Sequence, residues 1–451
     1  MTRLVVVSNR VTPIDAGKGG AIGGLAVAVQ DALKETGGVW FGWSGEVTSE
    51  TSSTPRIVES GSVVYATIDL GERDHEEYYT GFANSVLWPL FHNRLDLTDY
   101  SRRNMAGYHR VNSIFAERLL PLLRPDDLVW VHDYHFMPLA RNLRELGCRN
   151  RLGFFLHIPW PPPDLLLTLP NHERLAEQLA DYDLIGFQTA RDQHTFETYL
   201  LEEAGGRRIA PGVISAFQRT MHSGVYPISI ETEIVAQAAA KAAISQQGER
   251  FKASLLARKL IIGVDRLDYT KGIVQRLEAY EYLLKHYPAW CNKVVFTQIA
   301  PPSRTDVHEY RIMRQQVENL AGHINGSYAD FDWSPVRYLN RGYRRSTLLG
   351  FLRHSHVGLV TPLRDGMNLV AKEYVAAQPP DDPGVLVLSR FAGAAAELQD
   401  ALIVNPYDIE GVGETLARAL DMPLAERRRR WERLYEHLER HHLPAWRMAY
   451  L

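Results

Sequence analysis

Four cations near the ends of apolar runs could bind phosphate. Arg10, Arg266 and Arg304 each follow such a run, and Lys271 lies in the same polar segment as Arg266. Arginine binds phosphate oxygens through a planar fork of N–H groups, whereas lysine acts as a compact point charge. We therefore expect these side chains to gather around phosphate groups. The alternative is a surface ion pair between Arg266 and a neighbouring aspartate.

Carboxylates in similar polar segments favour a sugar as the other half of the ligand. Asp133, Asp365 and Glu373 cannot neutralise a phosphate, but they can accept hydrogen bonds from sugar hydroxyls. The cations and carboxylates together predict a site for a phosphorylated sugar and a sugar nucleotide.

One strand–turn–helix segment organises this chemistry. The apolar run Val357–Val360 predicts a buried strand, Arg364–Gly366 a polar turn, and the residues from Met367 onward a helix. In an open α/β sheet, ligands bind beyond the carboxyl ends of the strands, where the free N–H groups of Gly366–Leu369 would face them. Glu373 returns to the same side about two turns later. The alternative is a polar loop that only caps a helix.

A glycine-rich loop follows the first predicted strand and brings Gly23 and Gly24 to the start of a helical run. The spacing is not that of a dinucleotide-binding loop, because Ile22 stands where the third glycine belongs. Nor is it that of a P-loop, because Thr12 stands where the first glycine belongs. An NAD dehydrogenase is therefore disfavoured, and a glycine backbone that can approach a ligand closely remains. A surface loop without a ligand is the alternative.

Aromatic side chains are frequent between residues 40 and 108. They could pack on the apolar faces of sugar rings, and plain core packing is the alternative. The residues concerned are Trp40, Trp43, Tyr78, Tyr79, Trp88 and Phe91.

Two Asp-x-Asp triplets, Asp181–Asp183 and Asp330–Asp332, raise the question of a divalent cation. The first precedes a predicted strand, which is the wrong end of a parallel sheet for a ligand, and the second lies in an irregular segment. We expect both to be structural. We expect neither a metal nor another cofactor, because Arg266 and Lys271 can stabilise a departing diphosphate.

Length and composition are those of a soluble protein of two or three domains, with 451 residues, 45% hydrophobic and 23% charged. A formal net charge of -3 gives no bulk electrostatic reason to bind nucleic acid or a membrane. Cys148 and Cys291 lack metal-ligand spacing and suit a reducing compartment. No apolar run is long enough for a signal peptide or a membrane span, so we expect a cytoplasmic protein. The sequence leaves open whether the chain forms a homo-oligomer.

The elements that must position these residues form two βαβ series. The first has predicted strands at 4–7, 128–131, 152–156 and 184–187 and a crossover helix at 134–147. The second has predicted strands at 260–264, 294–296, 357–360, 385–388 and 402–404, and a helix from Leu424. This pattern predicts an α/β protein of two doubly wound domains facing a cleft, the first at 1–228 and the second at 229–429.

Ordered motifs spread over both series carry a resemblance to a known family. They are Val5–Arg10, Gly23–Ala26, Trp40–Trp43, Val131–His135, Phe154–Pro159, Gly186–Gln188, Arg266–Gly272 and Arg364–Glu373. They resemble the trehalose-6-phosphate synthase family of retaining glycosyltransferases. The resemblance implies the GT-B fold of two Rossmann-like domains, the first completed by the C-terminal helix at about 430–451. It also implies transfer of glucose from UDP-glucose to glucose 6-phosphate, giving α,α-trehalose 6-phosphate and UDP without a metal.

The resemblance further implies a role for each matched residue. The acceptor phosphate would be held by Arg10 and Arg304, the acceptor sugar would be lined by Tyr79, Trp88 and Asp133, and the choice of anomer would involve Trp88 and Ile158. The donor glucose and diphosphate would be surrounded by Gly23, Gly24, His157, Asp365, Gly366, Met367, Asn368 and Leu369. The diphosphate would be clamped by Arg266 and Lys271, the nucleoside would lie by Tyr343, and the ribose would bind Glu373. The expected catalytic residues are Asp133, Arg266 and Lys271.

Rival functions stay open at this point. A related transferase could use another acceptor, such as glycerol 3-phosphate or fructose 6-phosphate. A glycoside hydrolase would not need cations at strand ends, and a non-catalytic sugar-phosphate sensor would be expected to have lost them. The donor base (UDP, GDP or ADP) is open as well, because the glycine loop Val11–Ile22 has a sequence of its own.

Overall fold

The computed structural model describes residues 3–11, 29–30, 32–33, 36–304 and 308–451. They belong to two compact units, a first that runs to Pro227 and also contains Tyr450 and Leu451, and a second from Ile228 to Ala449. The domain bounds expected above, including the assignment of about 430–451 to the first domain, stay a prediction. None of the described helices is long and apolar enough to cross a membrane.

The first unit is built on a ten-stranded sheet. Its strands are β1 Leu4–Arg10, β2 Gly38–Thr48, β3 Arg56–Ser60, β4 Val63–Gly71, β5 Leu128–His132, β6 Arg151–Phe155, β7 Leu184–Phe187, β8 Arg207–Ala210, β9 Val213–Ala216 and β10 Arg219–Val225. Their order is β3-β4-β2-β1-β5-β6-β7-β10-β9-β8. Neighbours from β4 to β10 pair in parallel, and the strands at both margins, β3 and then β9 and β8, pair antiparallel. The four strands predicted for this half are β1, β5, β6 and β7, which are confirmed.

Helices cover this sheet. They are Glu72–Asp74, Trp88–Phe91, Arg102–Leu119, Leu139–Glu145, Pro163–Leu166, His172–Leu179 and Ala190–Glu202, with a π-helix at His75–Leu87 and 3-10 turns at Leu95–Leu97, Leu120–Leu122 and Tyr134–Phe136. The crossover predicted at 134–147 is confirmed as a 3-10 turn followed by a helix. Helix starts are capped by hydroxyls, since Ser101 accepts from Asn104 N and Thr189 from Asp192 N.

The side chain of Tyr450 packs inside the first unit. Its hydroxyl donates to Phe154 O at 2.8 Å, and its ring centroid lies 5.0 Å from that of Trp130. Gly153 and Gly186 make room for the ring, because a Cβ atom at either position would lie within 2.7 Å of Tyr450.

The second unit is built on a wholly parallel six-stranded sheet. Its strands are β11 Lys259–Val264, β12 Val294–Ile299, β13 Val336–Leu339, β14 Val357–Val360, β15 Val385–Ser389 and β16 Leu402–Val404, in the order β13-β12-β11-β14-β15-β16. The five predicted strands are confirmed, because strands buried on both faces are nearly continuous apolar runs. The helices are Thr232–Ala243, Gln246–Ala253, Ile273–His286, His308–Tyr328, Arg345–Arg353, Leu369–Ala377, Ile409–Asp421, Leu424–Arg440 and Leu443–Tyr450, with 3-10 turns at Tyr269–Lys271, Pro288–Trp290 and Gly393–Ala396. The core lies between this sheet and its helices, as in the cluster of Ile261, Leu277, Phe296 and Leu416.

Each sheet reverses its winding direction beside its first strand. In the first unit the chain winds from β1 outward to β2 and β4 and then returns to β5 on the other side of β1. In the second unit it winds from β11 to β12 and β13 and returns to β14 on the other side of β11. Ligands of open α/β sheets bind at the carboxyl ends of the two strands that flank such a reversal. The predicted α/β doubly wound fold is therefore confirmed within each unit.

Candidate active site

Lys271 links the loops that follow β11 and β14, the two strands between which the winding of the second sheet reverses (the reversal point). The turn Tyr269–Lys271 follows β11, and Lys271 Nζ donates to Asp365 Oδ2 in the loop after β14 at 2.5 Å. Both side chains are largely buried, at 11% and 14% exposure. The structure thus brings together two residues predicted to meet the donor. A phosphate oxygen could take the place of the carboxylate, because both are anionic acceptors.

The Arg276 side chain holds both of these loops through hydrogen bonds. The side chain is wholly buried, and it donates from Nη1 to Asp265 Oδ2 at 2.6 Å and from Nε to Thr361 Oγ1 at 2.9 Å. Nη2 donates to Lys271 O at 2.9 Å. Burial raises the pKa of Asp265, and the charge of Arg276 opposes that rise. Sequence reasoning missed Arg276, because an arginine inside a helix gives no sign that it will be buried.

Arg304 lies beside the same turn. Nη1 of Arg304 donates to Asp268 Oδ2 at 3.3 Å and to the Tyr310 hydroxyl at 2.6 Å. Burial would raise the pKa of Asp268, but Arg304, Arg266 and Lys271 together lower it to about 2. Asp268 is fully buried while Arg266 is exposed, so the charge of Arg266 acts on a buried carboxylate at the reversal point. Arg266, Lys271 and Arg304 thus all act on Asp268 within this unit, and their expected binding of phosphate stays a prediction.

The loop after β14 is shaped by Asn368. Its backbone is left-handed, with φ 75°, and its Oδ1 accepts from Ala371 N at 3.3 Å. Its Nδ2 donates to Asp365 Oδ2 at 3.0 Å. The helix therefore begins at Leu369, two residues later than predicted, because asparagine tolerates this conformation and caps the first turn. Met367 is buried in this loop, and its carbonyl accepts from Ala394 N at 2.9 Å.

The two residues predicted to meet the nucleoside are both held by arginine. Glu373 Oε1 accepts from Arg345 Nε at 2.8 Å. The Tyr343 hydroxyl accepts from Arg341 Nε at 2.7 Å, and the Tyr343 ring packs edge-on against Phe351. Sequence reasoning missed Arg345, although its position two residues after Tyr343 is a signal that could have suggested it.

An aromatic cluster connects the predicted acceptor residues in the first unit. The Arg10 guanidinium lies 5.7 Å from the centroid of the Trp43 ring, and Trp43 packs against Tyr79 at 5.3 Å between centroids. The cluster continues from Tyr79 through His135 and Tyr134 to Trp88. Tyr79 is half-buried and Trp88 is 5% exposed. The structure thus connects Arg10, Tyr79 and Trp88 through one aromatic cluster, in which Tyr79 is accessible to a sugar while Trp88 is buried.

Asp133 sits directly after β5 in a strained conformation. Its φ of 78° is uncommon for a residue with a side chain, and such strain collects at functional sites. Asp133 Oδ1 accepts from His157 N at 3.2 Å. The His157 ring in turn contacts His132, with Nε2 2.9 Å from His132 Nδ1. Burial lowers the pKa of His157 to about 3, so it offers a neutral imidazole rather than a cation to a ligand.

The remaining predicted residues lie in the core, outside the described residues or in ion pairs. Trp40, Tyr78 and Phe91 are buried in the core, which confirms the alternative given for these three. Ile158 is also buried, at 5% exposure. Gly23 and Gly24 lie outside the described residues. In the Asp-x-Asp triplets, Asp181 pairs with Arg141 and Arg219, Asp183 with Arg144 and Asp332 with Arg258, as expected for structural carboxylates. Among the residues that the structure describes, no group of three or more potential ligands is arranged to hold a metal ion.

Comparison with known proteins gives matches along the whole chain. The model of glycosyltransferase family 20 matches residues 5–451. The trehalose-6-phosphate synthase of Sinorhizobium fredii is 53% identical over 448 residues, which is 99% of this chain and 97% of that protein. The trehalose-6-phosphate synthase of Cronobacter sakazakii is 49% identical over 451 residues, 100% of this chain and 94% of that protein.

Solved structures agree with the sequence matches. An α,α-trehalose-phosphate synthase (UDP-forming) from Burkholderia xenovorans, in complex with glucose-6-phosphate, has a TM-score of 0.96 and 52% identity and covers 99% of this chain and 98% of its own. An E. coli structure bound with UDP-2-fluoro glucose has a TM-score of 0.95 and 48% identity over 99% of this chain and 98% of its own. The two-domain GT-B fold and the resemblance predicted from the motifs are confirmed. This chain is a glycosyltransferase and belongs to glycosyltransferase family 20.

Proposed function

We propose that this chain transfers glucose from UDP-glucose to glucose 6-phosphate and forms α,α-trehalose 6-phosphate and UDP. The observation that carries the proposal is the contact between Lys271 and Asp365 at the reversal point, flanked by Arg266 and Arg304. This cluster supplies cations for phosphate and carboxylates for sugar hydroxyls at the edge of the sheet where ligands bind. The relatives with bound glucose-6-phosphate and UDP-2-fluoro glucose support the choice of acceptor and donor.

The residues of each unit have separate roles in this proposal. In the second unit, Arg266 and Lys271 hold the donor diphosphate, Asp365–Leu369 surround the donor sugar, and Glu373 binds the ribose beside Tyr343. Arg304 holds the acceptor phosphate. In the first unit, the acceptor is met by Arg10, Tyr79, Trp88 and Asp133, the donor by His157 with Gly23 and Gly24, and the choice of anomer involves Trp88 and Ile158.

We propose a front-face reaction that retains the anomeric configuration. The acceptor hydroxyl donates a hydrogen bond to the phosphate oxygen that leaves, and it attacks the anomeric carbon as the bond to UDP breaks. The hydroxyl proton passes to the departing diphosphate. Arg266 and Lys271 stabilise the charge that develops there, so the reaction needs no metal ion.

A product assay tests this function. Purified protein is given UDP-, GDP- or ADP-glucose with glucose 6-phosphate, fructose 6-phosphate or glycerol 3-phosphate, in the presence of excess EDTA. We expect nucleotide release with UDP-glucose and glucose 6-phosphate, and a product with two α-anomeric protons in its NMR spectrum. Faster turnover with another acceptor would overturn the assigned acceptor. With ¹³C-labelled UDP-glucose, a β configuration at the labelled, donor-derived unit would overturn retention, and a β configuration at the unlabelled unit would overturn the assigned choice of anomer. Loss of activity in EDTA, restored by a divalent cation, would overturn metal independence.

A further inference from the structure

Asp268 has no role in the assignments above, yet its carboxylate contacts groups that belong to both phosphate sites of the second unit. Its side chain is fully buried. Oδ1 accepts from Thr270 N at 3.0 Å and from Thr270 Oγ1 at 2.9 Å. Oδ2 accepts from Arg304 Nη1 at 3.3 Å and from the Tyr310 hydroxyl at 3.1 Å. Each oxygen therefore serves a different site.

On the donor side, Asp268 shapes the turn that carries Lys271. The carboxylate caps this turn through Thr270, and Asp268 O accepts from Lys271 N at 3.0 Å. Thr270 O accepts from Leu363 N at 2.8 Å, which links the turn to the loop after β14. Movement of Oδ1 would therefore move Lys271 relative to Asp365.

On the acceptor side, Asp268 holds Arg304. The backbone of Arg304 is left-handed, with φ 47°, a conformation that persists only where the surroundings fix it. The side chain is 7% exposed, and Nη1 bonds to both Asp268 and Tyr310. These two contacts restrict the Arg304 guanidinium before a phosphate binds, which lowers the entropic cost of binding.

We propose that Asp268 is a positioning residue that aligns Arg304 with the Lys271 turn, so that acceptor phosphate and donor diphosphate bind at a fixed separation. The inference rests on the proposed function. It adds Tyr310 as the second support of Arg304 and Thr270 as the support of Lys271.

The variant Asp268→Asn tests the support of Arg304 separately from the support of the Lys271 turn. Asparagine can still accept from Thr270, but its amide group faces the Arg304 and Tyr310 donors. We expect the KM for glucose 6-phosphate to rise at least about tenfold, the scale for losing a charge-assisted hydrogen bond. The Kd of UDP, measured by calorimetry, should stay within about twofold. Asp268→Ala should raise both constants, because alanine also removes the cap on Thr270.

Two further variants keep the test specific. Tyr310→Phe should raise the KM for glucose 6-phosphate with UDP affinity kept, whereas Tyr328→Phe on the same helix should change neither. In the double variant Asp268→Asn/Arg304→Ala, the KM should match that of Arg304→Ala alone, because Asp268 acts on the acceptor through Arg304. Melting temperatures identify any variant that fails to fold, and Tyr310→Phe then carries the acceptor half of the test.

The outcomes distinguish this inference from the proposed function. Wild-type protein without turnover on glucose 6-phosphate would reject the proposed function itself. If wild-type turnover is normal, two results would reject the role of Asp268 and leave the proposed function standing. One is an unchanged KM for glucose 6-phosphate in folded Asp268→Asn, and the other is additive effects on this KM in the double variant. If folded Asp268→Ala bound UDP with an unchanged Kd, the proposed support of the Lys271 turn by Asp268 would be rejected.

Discussion

Arg345 Nε donates to Glu373 Oε1 at 2.8 Å, which restricts the orientation of the Glu373 carboxylate. The Glu373 side chain is 16% exposed, so the ion pair is partly shielded from water. If Glu373 binds the ribose, Arg345 decides how its carboxylate is oriented.

Arg345→Ala should therefore reduce discrimination for ribose. We expect the ratio of kcat/KM for UDP-glucose over its 2′-deoxyribose analogue to fall at least about fivefold, since a misdirected acceptor loses part of a hydrogen bond. Glu373→Ala should have a similar effect, and the double variant should be no worse than Glu373→Ala. Arg344→Ala serves as the matched control. Additive losses would show that Arg345 contacts the ligand independently of Glu373.

Lys271→Ala should lower kcat at least about a hundredfold, the scale for removing a group that stabilises charge in the transition state. Steady-state kinetics with saturating UDP-glucose and glucose 6-phosphate measure this effect. Lys285→Ala, on the exposed face of the helix Ile273–His286, provides a control for loss of a lysine charge. Near-normal turnover of Lys271→Ala would contradict the diphosphate clamp.

Gly45→Ala should weaken acceptor binding through Arg10. A Cβ atom at Gly45 would lie 2.5 Å from Arg10 Nη2, so the guanidinium must move. We expect the KM for glucose 6-phosphate to rise about tenfold, from partial loss of a charge-assisted contact. The φ of +94° at Gly45 adds a backbone cost of about 1 kcal/mol. Gly61→Ala is the control, because Gly61 also has a positive φ but a Cβ there meets nothing within 4 Å. Equal kinetic effects at both sites would contradict the prediction.

Acidification should destabilise the fold between about pH 6.5 and pH 4. Burial lowers the pKa of His109 and of His356 to about 4, below the ordinary value of 6.5. In this window the unfolded chain binds more protons than the folded chain, so the free energy of unfolding falls as pH falls. His356 Nδ1 accepts from Leu260 N at 3.1 Å, and protonation would remove that acceptor. His356→Asn can accept the bond without titrating. Urea unfolding at several pH values should therefore show that the free energy of unfolding falls less steeply with decreasing pH in this variant than in the wild type. An equal dependence on pH in both proteins would exclude His356 as a contributor.

The sequence predicted the parallel strands better than it predicted the strands at the sheet margins and the residues that support the site side chains. The predicted runs within β11, β12 and β14, at 260–264, 294–296 and 357–360, are apolar, because both faces of a parallel sheet are covered. Strands β2 to β4, β8 to β10 and β13 were missed. The residues of β8 and β10 are mostly exposed and polar, whereas β2 and β4 are largely apolar and lie in a segment that was noted only for its aromatic residues. In the candidate site, the positions of Lys271 and Arg304 after β11 and β12 were predictable from the sequence. Arg276 and Tyr310 were not, because their roles depend on which side chains the fold places around them.

Tyr450 is synthesised after nearly all of the chain, yet its ring fills a place beside Trp130, Gly153 and Gly186 in the first unit. Neither glycine has a side chain that could fill this place in the meantime. During translation the first sheet must therefore wait, with part of its apolar surface uncovered, until Tyr450 has left the ribosome. The sheet of the first unit therefore completes its packing only with a residue that lies far from it in the sequence.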